Sequence, residues 1–355
     1  MKKYLAAIFI GILVLSLFLT GCGNIKNNGN EKSEGKAESK VSSSISEDKF
    51  IYTANEGGSV SKISMNEQKV LSNIKVDGAV HNVQVSPNSK VVAATVVPEM
   101  MHGNNDSMDM KGKAIFLDTR TDKVIKEVEV GNHPAHIVFT EDGKYILVTN
   151  NEDNTVSVID SNNYSIVQTI STGKGPHGFR ISKDSKFAYV ANMGEDTVSV
   201  LNLQSMKGDK KIKVGATPVT TGITDDNKTL VVTVNKESAL AIVDLATGNI
   251  DKVKVGNGPA QVYIEPDNQF AFVANQGTED VPSHSLTKID LKSKQVVATI
   301  ETGKGSHGVV TSPDSKFIYI TNMFEDTVTV IDNSQNKVLK TIKVGKTPNG
   351  ISIMP

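Results

Sequence analysis

A unit of about 42 residues recurs through most of this chain, and a repeat of that length limits the fold to a ring or a stack of similar small sheets. The clearest copy runs Gly175-Pro176-His177-Gly178, then Phe187-Ala188-Tyr189-Val190-Ala191-Asn192, then Asp196-Thr197-Val198-Ser199-Val200. The middle run returns as FIYTAN from Phe50, KVVAATV from Lys90, YILVTN from Tyr145, TLVVTVN from Thr229, FAFVAN from Phe270 and FIYITN from Phe317. The run after it returns as TVSVID from Thr155 and TVTVID from Thr327, and a further one reads VIKEVEV from Val124 and VLKTIKV from Val338. Each is rich in β-branched or aromatic residues and is bounded by Asn, Asp, Gly or Pro, so each unit holds four short strands.

Pro134, Pro176, Pro218, Pro259 and Pro348 mark one point in successive units, with Val80 and Ser306 in the equivalent places. The ends of the chain are complementary. It enters the repeat at Phe50 with a second strand and leaves it at Gly350–Met354 with a first strand. Joined, the fragments complete one unit, which predicts an all-β, seven-bladed β-propeller over residues 50–355. Its four-stranded blades close by pairing N- and C-terminal strands in one blade. An open solenoid would leave those edges unpaired.

The second-strand runs Tyr189-Val190-Ala191-Asn192 and Tyr319-Ile320-Thr321-Asn322, followed by Thr-Val-Ser-Val or Thr-Val-Thr-Val, resemble the YVTN family of propeller repeats. That family includes surface-layer, YncE-like and lipoprotein propellers, and the resemblance spans essentially all of residues 50–355. It implies a fold and not an activity: related propellers carry haem in nitrite reductases, or act as quinoprotein subunits, lactonases or antibiotic lyases.

The first fifty residues are a different object. Lys2 and Lys3 precede an apolar run from Tyr4 to Leu19, the layout of an export signal over residues 1–21. The run ends in Leu19-Thr20-Gly21-Cys22, which resembles the bacterial lipobox and implies cleavage before Cys22 and its acylation. Cys22 is the only cysteine, so no disulfide forms within one molecule. Residues 22–49 are Ser, Lys, Glu, Gly and Asn with few apolar positions, which predicts a flexible tether. These readings place the propeller on the outer face of the cell membrane, held there by lipid, with the membrane as one partner. The formal net charge of -1 gives nucleic acid no electrostatic purchase.

The chemistry-bearing residues are unevenly placed. Connections from an outermost strand to the next innermost one, and from second to third strands, emerge on one face of a propeller, here termed the upper face. His81, His133, His136, His177 and His307 fall at the entrances of innermost strands, and His102 and His284 fall in second-to-third-strand loops. All seven histidines thus belong to that face. Met100, Met101, Met108 and Met110 lie in a long loop between Pro98 and Gly112, and Met193 and Met323 follow Asn192 and Asn322 in two other blades. A second long loop is expected over Gln276–Ser285.

Taken singly, these residues have ordinary explanations. A histidine at a strand entrance is more often a hydrogen-bonded channel residue than a ligand, and a loop methionine more often fills a gap. The Gly-x-Gly-x-His-Gly pattern at Gly173–Gly178 and Gly303–Gly308 is a turn device, and Asn192 and Asn322 are expected to close turns. Together, imidazole and thioether on one surface form a ligand set for soft or borderline metals, above all copper. His81, His177 and His307 share one structural row and are expected to converge on the channel mouth. Met100, Met101, His102, Met108, Met110, Met193 and Met323 are the further candidate ligands, for copper or haem. Binding through ordinary imidazoles should fade below a pH of about 6.5.

Other classes find less support. No Cys-x-x-Cys-His, Gly-x-Ser-x-Gly or phosphate loop is present, which excludes covalent c-type haem and those hydrolase and nucleotide chemistries. The competing functions are a non-enzymatic surface scaffold docking a protein on the upper face and, third, a lyase or lactonase.

Overall fold

The structure, a computed structural model, describes residues 49–98 and 111–355. Cys22, Met100, Met101, His102, Met108 and Met110 lie outside the described residues. Among the described residues, seven antiparallel four-stranded sheets form the blades. Six are continuous in sequence, and they span residues 79–132, 134–171, 176–213, 218–254, 259–301 and 306–343. The seventh takes its innermost strand, Pro348–Ile353, from the far end of the chain and sets it beside Phe50–Asn55. Ile51 lies opposite Ile353 and Thr53 opposite Ile351, and the Met354 N–H donates to Phe50 O at 2.9 Å.

The core lies between blades, because each sheet buries both faces against its neighbours. Val138, Leu147 and Val156 of one blade meet Phe179, Ala188 and Leu201 of the next. Tyr52 and Val60 likewise meet Val92 and Ile115 across the closing junction. The second and third strands therefore read as almost continuous apolar runs. Only the outermost strands face solvent, as the exposed pairs Ile166/Val167 and Val296/Val297 show.

The repeat motif has a physical meaning. Its terminal Asn is a buried clamp between second and third strands: Asn192 Nδ2 donates to Thr197 Oγ1 and Ser199 Oγ, and Asn322 Nδ2 to Thr327 Oγ1 and Thr329 Oγ1. Asn322 Oδ1 also accepts from the Gly303 N–H, so the residue closes the turn entering its own blade. The motif's Thr links blades. Thr149 Oγ1 donates to His177 O of the next blade, Thr321 Oγ1 to Asn349 O, and Thr233 Oγ1 to Ala260 O. In Tyr189-Val190-Ala191-Asn192 an alanine stands there and the link is lost.

One expectation is corrected. The loop foreseen over residues 276–285 is mostly strand: Phe270–Gly277 and Pro282–Asp290 continue a hairpin, with Gly277 opposite Pro282. The positive φ of 70° at Gly277 keeps the ladder going through a turn that only glycine tolerates well. His284 therefore sits on a strand rather than in a loop.

Candidate functional site

Every innermost strand that begins with the marker Pro or Ser carries a β-bulge just after it. In the blade of residues 134–171, Pro134 pairs with Asn150 and Ile137 with Val148, so Ala135 and His136 together face Thr149. The same two-against-one step follows Pro176, Pro218, Pro259 and Ser306. A bulge re-aims side chains and is common beside sites. Here two successive positions per blade, rather than one, can reach the channel mouth. The first position holds His81, Ala135, His177, Val219, Ala260, His307 and Asn349 around the ring. Where it holds a small alanine, the second position supplies His136 or Gln261.

The result is a packed imidazole cluster. His81 and His177 stand on strands two blades apart, yet their Nε2 atoms approach to 3.3 Å. His136 stacks beside both, with ring centroids 5.0 Å from His177 and 6.3 Å from His81, and His133 lies 6.2 Å from His81. His136 is buried, and neither of its ring nitrogens has a hydrogen-bond partner.

Partners at the rear of each ring set its tautomer. His81 Nδ1 lies 2.8 Å from Glu56 Oε1, so its N–H donates to that carboxylate. The Asn349 Nδ2 amide donates to the same oxygen at 2.7 Å. His177 Nδ1 donates to Val219 O at 3.2 Å, and His307 Nδ1 to Asn349 O at 3.1 Å. His177 and His307 thereby present Nε2 as an acceptor. His81 Nε2 faces that of His177, so the two nitrogens can share one proton or another cation.

Electrostatics follow from burial. Burial first, then the neighbouring His81, holds His307 down at about 4, and the same causes with His307 added hold His177 at about 3. Burial also takes His136 well below its ordinary value and lowers His133. Glu56 runs the other way. Burial would raise its carboxyl, but the hydrogen bonds from His81 and Asn349 prevail and hold it at about 2. His133, His136, His177 and His307 are thus held toward the neutral form beside one ionised carboxylate.

His81 and His177 converge, whereas His307 faces the same channel through Asn349 and Gln261, whose Nε2 lies 3.4 Å from its Nδ1. Among the described residues no three His, Asp or Glu side chains stand at ligating distances as they are. Met323 is engaged elsewhere, its sulfur 3.2 Å from Gln276 Nε2. Met193 occupies the turn after Asn192, where its N–H donates to Gly175 O. His284 is exposed at the rim, 4.0 Å from Glu301. Glu56, His136 and Asn349 went unforeseen as site residues. The small Ala135 in a row that holds histidine at His81 and His177 on either side was the one signal for His136.

A closed ring of seven blades with a histidine-rich channel mouth defines the class. The chain belongs to the YncE-like β-propeller family, which it matches over residues 79–284 and 278–354. Comparison with curated proteins finds no match. Among solved structures it resembles the hydrazine synthase of Kuenenia stuttgartiensis, with 21% identity and a TM-score of 0.67 over 77% of this chain and 89% of that one. It also resembles a Bacteroides fragilis protein assigned as a 6-phosphogluconolactonase, with 14% identity and a TM-score of 0.70 over 88% and 99% of the two chains. The dihydro-heme d1 dehydrogenase NirN in complex with DHE matches at 14% identity and a TM-score of 0.63, over 86% of this chain and 74% of that one. At these identities the likeness is one of fold.

Proposed function

We propose that this chain is a lipid-tethered, extracytoplasmic propeller that binds a soft or borderline metal ion among the imidazoles of its upper channel mouth. One observation carries the reading: His81 Nε2 and His177 Nε2 approach to 3.3 Å, with both Nδ1 positions already committed to acceptors. A contact of this kind holds a shared proton, and a metal ion can take that proton's place between the two nitrogens. A tetrahedral ion with metal–nitrogen bonds of about 2.0–2.1 Å sets its ligand atoms roughly 3.3–3.4 Å apart. His136, buried and unpartnered, is the third donor within reach. Glu56 would act behind His81, as carboxylates commonly do behind metal-bound histidines, by fixing its orientation and raising its basicity.

Copper is favoured over zinc by the methionines of residues 100–110, since thioether suits copper. The anchors of that loop support its involvement. Val97 pairs with Ala79, two residues before His81, and Lys111 pairs with Asn132, next to His133. A single ion is favoured over haem, because imidazoles that close upon one another leave no slot for a macrocycle. The membrane attachment rests on the lipobox at Cys22.

The test is titration of the metal-free protein with Cu(I), Cu(II) and Zn(II), wild type beside a His81→Ala/His177→Ala double variant. Tight binding of copper that the double variant loses supports the site. Equal and weak binding by both proteins removes it and leaves the upper face as a docking surface. For the anchor, Cys22→Ser should abolish acyl labelling and leave an unprocessed precursor, and normal labelling would rule Cys22 out.

A further inference from the structure

The opposite end of the channel holds a second feature, unrelated to the imidazoles. Two adjoining cavities of about 390 and 380 Å³ open there, and Arg180 lines both. Arg180 sits near the end of the innermost strand Pro176–Ile181, whose start carries His177. Among the described residues its guanidinium makes one hydrogen bond, from Nη1 to Phe179 O, the carbonyl of its own neighbour, at 3.0 Å. The carboxylates around it are engaged or distant. Glu141 pairs with Lys183 at 3.3 Å, and neither Asp225 nor Glu265 forms an ion pair with the guanidinium.

The sevenfold repeat supplies an internal control. The equivalent position in the other innermost strands holds Gln84, Val138, Gly222, Tyr263, Val310 and Ser352. Arg180 is the one ionised side chain in that row. A half-buried arginine with no ion-pair partner costs stability, and an apolar residue of similar volume would serve the ring better. Burial already lowers its hold on the proton, yet guanidinium stays charged, so the cavity carries a fixed positive charge.

We propose that this lower channel mouth binds a small organic monocarboxylate with an apolar body, anchored by Arg180. The guanidinium fork matches a carboxylate with two parallel hydrogen bonds. Two neutral donors face the same space: the Tyr263 hydroxyl, and the Gln84 amide, whose Oε1 is occupied by the Phe139 N–H while its Nε2 is free to donate. Ile137, Val310 and Ile353 supply apolar wall for the rest of the molecule. Charge selects the class. One guanidinium balances one carboxylate, whereas a phosphate dianion would need a second cation, and Lys183, which also lines both cavities, is already paired with Glu141.

The experiment is calorimetric titration of the purified full chain with benzoate, 4-methylpentanoate, benzamide and inorganic phosphate, with thermal unfolding followed in parallel. The two carboxylates should bind saturably, and benzamide and phosphate should not. Arg180→Met should weaken carboxylate binding about tenfold or more while leaving the unfolding midpoint unchanged or higher. Arg180→Lys, which keeps the charge and loses the fork, should fall between. Tyr263→Phe provides a reading should the methionine variant not fold, and should weaken binding severalfold at unchanged stability. The His81→Ala/His177→Ala protein should bind carboxylate normally, which separates this site from the metal. Absence of saturable carboxylate binding, preference for phosphate, or equal affinity in the wild-type, Arg180→Lys and Tyr263→Phe proteins would overturn the proposal. An Arg180→Met protein that folds but unfolds at a clearly lower temperature would do so too, by showing a structural role.

Discussion

His81 and His177 meet nitrogen to nitrogen at 3.3 Å across the channel, although 96 residues separate them in sequence. The contact depends on what stands behind each ring, because Glu56 and Val219 O decide which nitrogen carries the proton. Replacing Glu56 with Gln should therefore weaken metal binding by about 10- to 100-fold without touching a ligand. Copper titration of Glu56→Gln beside wild type checks this, and unchanged affinity would mean that the carboxylate does not set the tautomer.

Acid should unfold this protein through its imidazoles. His177 and His307 hold pKa values of about 3 and 4 in the fold against about 6.5 in the unfolded chain, and His136 is depressed in the same direction. Their folded values lie below the unfolded one, so the unfolded state binds more protons as pH falls beneath 6.5. Stability is intact above that pH and declines below it, by about 1.4 kcal/mol per pH unit for each imidazole that stays neutral in the fold. Glu265 acts in the opposite sense. Burial pushes its carboxyl up to about 7, so its contribution is present below the unfolded value of about 4.5 and is lost as pH rises through 7. Three groups outweigh one, and denaturant midpoints should fall between pH 6.5 and 4. A His136→Phe/His307→Gln variant should show a shallower fall; an unchanged slope would acquit these rings.

The same depressed values revise the expected pH response of binding. Ordinary imidazoles would release metal below about pH 6.5, but His177 and His307 stay neutral well beneath it. Proton competition at His177 should therefore begin only near its own value of about 3. A His81→Ala protein, titrated with copper at pH 7 and 5, should show nearly the same residual affinity at both. A steep loss would place the remaining ligands outside the buried rings.

The repeat motif separates into a costly and a cheap residue. Asn322→Ala would strand two hydroxyls and the Gly303 N–H, at about 1–3 kcal/mol for a buried unsatisfied group and more for the set. Thr321→Ala removes the bonds from Gly308 N and to Asn349 O, the state that Ala191 already occupies in another blade, and should cost about 1–2 kcal/mol. Chemical denaturation of both variants checks the order, which reversal would refute.

Much of this fold could be read from sequence because a ring repeats its instructions. The row from Pro134 to Pro348 fixed the spacing, and complementary ends at Phe50 and Gly350 gave the closure. His81 and His177 were legible as a pair because they share one position in that row. His136 was not, since a bulge lets the next residue reach the same space and strand periodicity does not announce a bulge. Glu56 lies in a turn of the preceding blade, 25 residues before His81, and strand periodicity says nothing of which turn residue a neighbouring blade will meet. Arg180 carries no motif at all; its meaning comes from the neutral residues at the six equivalent positions.

Among the described residues Phe50–Asn55 is the earliest strand in the chain and Pro348–Ile353 the latest, yet they are neighbours in one sheet. The earliest blade must wait for the entire remaining chain before its inner edge is covered. During that interval an apolar, hydrogen-bond-hungry edge is open to any other strand, including the same strand of another copy. The final seam is therefore the slow event in assembly and the point most exposed to misassociation.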